Sequence, residues 1–257
     1  MCLILLAWHT HPRFPLVLAA NRDEFYARAS AQATFWREQP AVLGGRDLES
    51  MGTWLGITRS GRFAAVTNVR EAPAAAASDA PSRGKLTTDF LCGAMPPADY
   101  AAAAYAAGAA YRGFNLLVAD RHELWWTSNR ADGTRQLEAG VYGLSNELLD
   151  TPWPKVVVGK QRLARALETG ATVGVDGLLA LLADSEQPGD AELPDTGVGL
   201  ARERQLSAAH VVSADYGTRC SSVLIVDAHG RAQFAERSFE PHGAPGETLT
   251  YEFALTV

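Results

Sequence analysis

Two short apolar runs, residues 3–8 and 16–20, open the chain, and a proline-containing link joins them. Two such runs around a short link predict a β-hairpin. Apolar residues occupy both alternating positions, so we expect both faces of the hairpin to be buried. Chain ends fray unless they are tied down. A buried first strand therefore predicts that the start of the chain is fixed near the centre of a sheet.

The rest of the pattern predicts strands, then helices, then strands. Strands are predicted at 53–58, 62–67, 114–119, 124–128, within 136–144, and at 207–213, 221–227, 232–237 and 248–255. Helices are predicted at 87–95, 97–110, 155–169 and 175–183. Hairpins at both ends of a helical middle favour an α+β fold, with two antiparallel sheets packed face to face and covered by helices.

Three segments lack a regular pattern. Residues 28–45 are rich in turn formers, and the adjoining Gly44-Gly45-Arg46-Asp47 indicates a charged loop. Residues 73–82 have the Ala, Pro and Ser content of a mobile loop. Residues 187–199 form a second long loop, which we expect to cover a site as a lid.

Composition describes an ordinary globular protein, with 47% hydrophobic and 20% charged residues. No linker divides the chain, so we expect a single domain over residues 1–257. The net charge is -6 and no basic stripe is present, which argues against a nucleic-acid partner. No apolar segment approaches the ~20 residues of a membrane span, and a secretion signal is missing, so we expect a cytoplasmic protein.

The three cysteines, at positions 2, 92 and 220, have no metal-ligand spacing and predict neither a disulfide framework nor a metal site. Cys92 and Cys220 are expected to be buried. Cys2 has two equally weighted interpretations, a small apolar residue in a core strand or a nucleophile. If Met1 is removed, Cys2 carries both a thiol and the free α-amine, so one residue supplies the nucleophile and its base.

Three asparagines, Asn21, Asn68 and Asn146, each follow an apolar run directly. Asparagine is common in turns because its amide bonds local backbone, and this interpretation has even odds for each of them. The alternative is that neighbouring strands bring the amides beside Cys2. There an amide N–H would donate to the oxygen of a tetrahedral intermediate.

Charged residues accompany two of these asparagines: Arg22, Asp23 and Glu24 follow Asn21, and Arg70 follows Asn68. As surface ion pairs they would each contribute only about 0–1 kcal/mol. For Asn21-Arg22-Asp23-Glu24 we favour a functional interpretation. Four consecutive polar groups directly after a buried strand exceed what a turn requires.

Several short motifs resemble those of the NRDE family, the family of the transport-and-Golgi-organisation proteins. The motifs run through nearly the whole chain and are Met1-Cys2-Leu3-Ile4, Asn21-Arg22-Asp23-Glu24, Gly52-Thr53-Trp54-Leu55-Gly56, Thr67-Asn68-Val69-Arg70, Ser82-Arg83-Gly84, Gly113-Phe114-Asn115-Leu116-Leu117, Leu144-Ser145-Asn146, Asp150-Thr151-Pro152-Trp153-Pro154-Lys155 and Tyr216-Gly217-Thr218-Arg219.

This family in turn resembles the N-terminal-nucleophile hydrolases of the penicillin V acylase and bile-salt hydrolase branch. The resemblance implies a four-layer αββα sandwich and a mature N-terminal Cys2 as nucleophile. It implies that Asn68 and Asn146 support the oxyanion and the α-amine. Arg22 and Asp23 complete the implied catalytic set, although that branch carries Arg and Asp three positions apart. The substrate-binding set adds three further polar residues, namely Asn21, Glu24 and Arg70.

The implied function is Cys-dependent hydrolysis of a non-peptide C–N amide bond in an acyl substrate. The alternative that the family implies is a non-enzymatic carrier on the same scaffold, for haem trafficking or for acyl-coenzyme A and lipids. The haem-attachment motif Cys-x-x-Cys-His is absent, but a carrier of labile haem does not need it. We therefore expect no required cofactor, with haem as a possible cargo.

Overall fold

The computed structural model describes residues 2–71, 80–169 and 173–256. The chain forms two compact units, each described here by itself. The first unit holds the residues up to Ala27, Ala139–Ser145 and Leu149–Phe253. The second holds Arg28–Glu138, Asn146–Leu148 and the residues from Ala254 onward.

The strands, in chain order, are β1 Cys2–His11, β2 Phe14–Phe25, β3 Ser30–Phe35, β4 Val42–Asp47, β5 Leu55–Thr58, β6 Phe63–Asn68, β7 Phe114–Ala119, β8 Leu124–Ser128, β9 Thr134–Gln136, β10 Gly140–Leu144, β11 Tyr216–Val226, β12 Arg231–Phe239 and β13 Pro245–Ala254. The helices are α1 Gly84–Cys92, α2 Pro97–Ala106, α3 Pro154–Thr169, α4 Val175–Leu182 and α5 Leu200–Ser207.

The first unit is built on a six-stranded sheet in the order β10-β1-β2-β11-β12-β13. Its opening hairpin is buried on both faces, as predicted, because residues 3–8 are each at most 5% exposed. On one face Leu3, Leu5 and Val223 pack against the apolar sides of α3 and α4. Gly159 of α3 permits this contact, since a Cβ there would lie 2.7 Å from the Leu5 side chain.

The second unit is built on a seven-stranded sheet in the order β3-β4-β5-β6-β7-β8-β9. Helices α1 and α2 cover it, with Phe90 and Ala101 packed against Val66 and Leu116. Each unit therefore combines one antiparallel sheet with its own helices. The predicted α+β class with two antiparallel sheets is confirmed.

Three predictions of local structure are wrong. Residues 28–45 contain strand β3 and most of β4, and Gly44-Gly45-Arg46-Asp47 lies inside β4 instead of a loop. The two glycines serve close packing, because a Cβ on Gly44 would meet the Leu55 carbonyl oxygen at 2.7 Å. Residues 208–213 are irregular and follow a helix, α5, that the pattern did not indicate. Polar residues at most positions of α5 hid its short buried side.

Other predictions concern residues or properties that the described part of the chain tests only in part. Most of the predicted mobile loop at 73–82 lies outside the described residues. Within the described part, no helix is both long and apolar enough to cross a membrane. The single domain over residues 1–257 stays a prediction.

Candidate functional site

Cys2 begins strand β1 and pairs directly with Arg22 of β2. Arg22 also pairs with Cys220 of β11 on its other side. Directly opposed residues of antiparallel strands project to the same face of a sheet. The three side chains therefore form a row on one face of the first unit's sheet, and Arg22, at 6% exposed, is buried in it.

A β-bulge lies beside this row. The register between β11 and β2 shifts between Thr218 and Cys220, so Arg219 is an extra residue opposite the step from Arg22 to Asp23. Bulges re-aim neighbouring side chains and are over-represented at active sites. Here the Thr218 hydroxyl donates to Asp23 Oδ1 over 2.7 Å.

Asp23 is a buried carboxyl group at the end of β2. Strand alternation places its side chain on the face opposite Arg22. The Tyr216 hydroxyl donates to its backbone oxygen over 3.0 Å. Burial raises the pKa of Asp23, whereas the positive charge of Lys155 and the Thr218 hydrogen bond act to lower it. Burial outweighs these two contributions, so the pKa of Asp23 lies above its ordinary value.

Burial also raises the pKa of the Cys2 thiol above its ordinary value. The charge of Arg22 and a hydrogen bond from the Asp23 backbone N–H oppose this effect and favour the thiolate. The Arg22 influence has the sign expected from sequence, but burial outweighs it. The Cys2 carbonyl oxygen accepts a 3.0 Å hydrogen bond from Ser145 Oγ, which anchors the start of β1.

Asn21 lies on the helix-covered face of the sheet and is 1% exposed. Its Nδ2 group donates to the carbonyl oxygens of Leu182 (2.9 Å) and Ala209 (2.8 Å). Its Oδ1 accepts a 2.5 Å hydrogen bond from Ser221 Oγ. Both amide hydrogens are therefore committed to the protein. Glu24, the last residue of the motif, is partly exposed and accepts from the Phe25 backbone N–H.

The second unit brings together Asn68, Arg70 and Asn146. Asn146 is 1% exposed, and its Nδ2 donates to the Asn68 carbonyl oxygen over 2.8 Å. The Asn146 carbonyl oxygen accepts from the Arg70 backbone N–H over 2.7 Å. The Asn68 side chain is half-buried, and its amide makes no hydrogen bond within the described ranges. Asn146 thus fixes the backbone at the end of β6, where Asn68 presents an available amide.

Two buried polar residues on the Arg22 face of the sheet, Glu236 and Ser222, were not predicted from the sequence. Glu236 of β12 is 1% exposed, and its Oε2 accepts a 3.1 Å hydrogen bond from Ser222 Oγ. The signal was an acidic residue at an inward position, because Ala232, Phe234 and Glu236 alternate along one face of β12. Cys220 is buried as expected, but Cys92 is exposed and the prediction for it is wrong.

A cavity of about 270 Å³ lies on the other side of the first unit's sheet. Leu3 and Leu5 line it, and they project away from the Cys2 face. Its cations are engaged: Arg162 forms a 2.5 Å ion pair with Asp184, and Lys155 Nζ donates to the Leu206 carbonyl oxygen over 2.9 Å. The loop at 187–199 contributes Glu192 and a proline to this wall. The cavity is therefore separate from the Cys2 row.

Within the described ranges, no three His, Cys, Asp or Glu side chains are grouped in a way that would hold a metal ion. The polar groups around Cys2 instead comprise a guanidinium, a carboxyl, hydroxyls and backbone N–H groups. Such groups can orient a thiol and an amine and can stabilise charge.

Two solved structures resemble the chain. One is the Caenorhabditis elegans ortholog of N-acylethanolamine-hydrolyzing acid amidase, with a TM-score of 0.50 and 11% identity over 87% of this chain and 92% of that one. The other is the mutant C2A conjugated bile acid hydrolase from Clostridium perfringens, with a TM-score of 0.52 and 9% identity over 100% and 98%. At these identities the likeness concerns the fold alone, and it confirms the predicted α+β fold.

Relatives in animals match the whole chain. Transport and Golgi organization protein 2 homologs are 39% identical in Bos taurus and 37% identical in Homo sapiens, over 99% of both chains in each comparison. The Drosophila melanogaster protein of that name is 29% identical over 96% of both. The family model Transport and Golgi organisation 2 matches residues 1–241. The resemblance inferred from short motifs is confirmed, and the chain belongs to the Transport and Golgi organisation 2 family.

Proposed function

We propose that the protein hydrolyses a non-peptide C–N amide bond in an acyl substrate, with Cys2 as nucleophile. The observation that carries the proposal is the fixed position of Cys2 at the first residue of an inner strand, in register with the buried cation Arg22. A nucleophilic thiol benefits from a guanidinium on its own face, because a nearby cation stabilises the thiolate.

The free α-amine of a processed Cys2 supplies the base. Burial raises the pKa of the Cys2 thiol and so favours its protonated form, which means that the reaction needs a nearby group that accepts the proton. A free α-amine has an ordinary pKa of about 8 and can take this role. The amine takes the thiol proton and the sulfur attacks the acyl carbon. The C–N bond then breaks as the proton passes to the leaving nitrogen, and water hydrolyses the resulting thioester.

We assign the surrounding residues by the face on which each one lies. Arg22 shares the face of the thiol and stabilises the thiolate. Asp23 lies on the opposite face at the same strand end, where its carboxylate would hold the α-amine when it is protonated. Asn21 positions the strand, because both of its amide hydrogens are used internally. We therefore propose that it does not contact the substrate.

The asparagines of the second unit have the chemistry for charge stabilisation. Asn68 is proposed to donate to the developing oxyanion, since its amide is half-buried and makes no hydrogen bond in the described part of the chain. Asn146 would support that geometry by holding the Asn68 backbone. Arg70 and Glu24 remain proposed substrate contacts. This chemistry uses protein groups only and requires no cofactor.

The same fold neighbours support a choice of substrate class. The two solved structures are named for hydrolysis of an N-acylethanolamine and of a conjugated bile acid. The first of these names describes an acyl group joined to a small amine. A modest acyl amide is accordingly the first class to test here.

A panel of acyl amides, followed by release of the amine, tests the proposal. Cys2→Ala should abolish turnover, whereas Cys92→Ala, which removes an exposed thiol, should leave it unchanged. Turnover that survives Cys2→Ala would reject the assignment. No turnover on any amide, together with saturable binding of haem or acyl-coenzyme A that is unaffected by Cys2→Ala, would favour the carrier alternative.

A further inference from the structure

Glu236 and Arg22 lie on either side of strand β11, on the same face of the first unit's sheet. Arg22 pairs with Cys220, and Ser222, two residues further along β11, pairs with Glu236. Residues two apart in a strand share a face. Strands β2 and β12 are two strand spacings apart, roughly 10 Å, a span that the long Arg and Glu side chains can cross when they extend toward each other.

Two side chains of β11, Ser222 and Cys220, lie between Arg22 and Glu236 and indicate that the two charged groups approach each other across this strand. Ser222 Oγ donates to Glu236 Oε2 over 3.1 Å. The Cys220 thiol lies within the electrostatic influence of both charges. Burial and the Glu236 carboxylate raise the pKa of Cys220, whereas Arg22 acts to lower it. Cys220 is thus bordered by a buried anion and a buried cation.

Neither charge has much water around it, because Glu236 is 1% and Arg22 is 6% exposed. A buried charge is strongly unfavourable unless an opposite charge and hydrogen bonds compensate it. A guanidinium also has several donors in a rigid fork, so a carboxylate fixes its orientation as well as its charge.

We propose that Glu236 is a positioning residue, which holds the Arg22 guanidinium on the Cys2 face of the sheet by pairing with it across β11. The catalytic consequence rests on the proposed hydrolase function. The pairing itself does not, and it is tested without any substrate.

A double-mutant cycle in thermal unfolding tests the pairing. Arg22→Met and Glu236→Gln should each lower the melting temperature by roughly 6 °C or more, because each leaves one buried charge uncompensated. The double variant should be less destabilised than the sum of the two. The matched control is Glu240→Gln at an exposed glutamate, whose effect should add to that of Arg22→Met. Additivity in the Glu236 cycle would overturn the pairing.

The pH dependence of Cys2 alkylation separates positioning from a merely structural role. The charged and titratable groups whose electrostatic influence reaches Cys2 are Arg22 and Asp23 of β2, Tyr216 of β11 and the terminal amine. Iodoacetamide labelling of residue 2, mapped by peptide mass, gives the midpoint for each variant. Arg22→Met should raise this midpoint, because a cation that favours the thiolate is lost.

Glu236→Gln should raise the midpoint as well, if Glu236 holds Arg22 in place. Removal of a negative charge would by itself lower it, so the sign of the shift is decisive. A lowered or unchanged midpoint would overturn the proposal. If Glu236→Gln does not fold, recovery of folded protein in the double variant supports the pairing, and failure to recover overturns it. Absence of amide turnover would reject the hydrolase function and leave these outcomes valid.

Discussion

Strands β2 and β6 each carry an asparagine directly after an apolar run, but in different surroundings. In β2, which continues to Phe25, Asn21 is buried and bonded to Leu182, Ala209 and Ser221. At the end of β6, Asn68 is half-buried, and its amide makes no hydrogen bond in the described part of the chain. An apolar run followed by asparagine thus describes two environments, one in which the amide holds the fold together and one in which it is available.

The difference arises from the face of the sheet to which each side chain projects. Asn21 projects toward α4 and the segment after α5, whose free carbonyl groups need donors. Arg22, the next residue, projects to the other face and meets Cys2. A single four-residue motif is therefore divided by strand alternation. Its first member stabilises the fold and its second lies beside the proposed nucleophile.

The largest expected effect tests whether Asn21 stabilises the fold and Asn68 does not. Asn21→Ala should reduce the free energy of unfolding by about 4 kcal/mol, because two buried carbonyl groups and one hydroxyl lose their partner. Asn68→Ala is the matched control and should change it by less than about 0.5 kcal/mol. Urea denaturation measures both values. Equal losses in the two variants would remove the distinction between the two asparagines.

The functional side is tested at Asn68. Asn68→Asp replaces an amide donor with a negatively charged acceptor, so turnover of an acyl amide should fall by about 10²- to 10³-fold. The melting temperature should stay near that of the wild type, since aspartate retains most of the turn preference of asparagine. A variant with wild-type turnover and wild-type melting temperature would reject the oxyanion assignment.

A third prediction concerns the buried hydroxyl beside Asp23. Thr218→Val removes the donor to Asp23 Oδ1 and the acceptor for the Val211 backbone N–H, which should cost about 2 kcal/mol of unfolding free energy. Thr87→Val is the control, since Thr87 is also buried but its hydroxyl has no hydrogen-bond partner among the described residues. A loss in the control as large as that at Thr218 would contradict the role of the bonds.

The smallest expected effect is a pH dependence near the end of β2. Burial lowers the pKa of His210, so the folded protein binds its proton less readily than the unfolded chain does. Stability from this residue is present above the ordinary histidine pKa of about 6.5 and is lost as pH falls below it. His210→Gln should reduce the loss of unfolding free energy between pH 7.5 and 5.5. The exposed His229 provides the control, and an unchanged slope at His210 would refute the prediction.

Much of the fold could be predicted because the apolar positions of the sequence correspond to the buried positions of the structure. Residues 3–8 are apolar in both alternating registers, and both faces of β1 are buried. The two glycines of β4 led to the wrong prediction of a loop. Glycine indicates a turn unless a neighbouring strand is known to approach closely. Helix α5 was not predicted because only a few residues on one side of it are buried, and most of its other residues are polar.

The site was predicted less completely because it depends on register. Cys2 and Arg22 were both candidates, but their pairing follows from how β1 aligns with β2. Thr218 was known only as part of a family motif, and its contact with Asp23 requires the bulge in β11. Glu236 lies in a strand that pairs with neither Cys2 nor Arg22, so no local spacing connects it to them.

The mass of the purified protein, before and after treatment with an electrophilic amide mimic, tests whether Cys2 is a processed N-terminal nucleophile. We expect protein that lacks Met1 and gains one covalent adduct on residue 2, located by peptide mapping. Cys2→Ser, which keeps a hydroxyl in place of the thiol, should gain much less. Quantitative retention of Met1 would displace the α-amine from Cys2 and contradict the proposed mechanism.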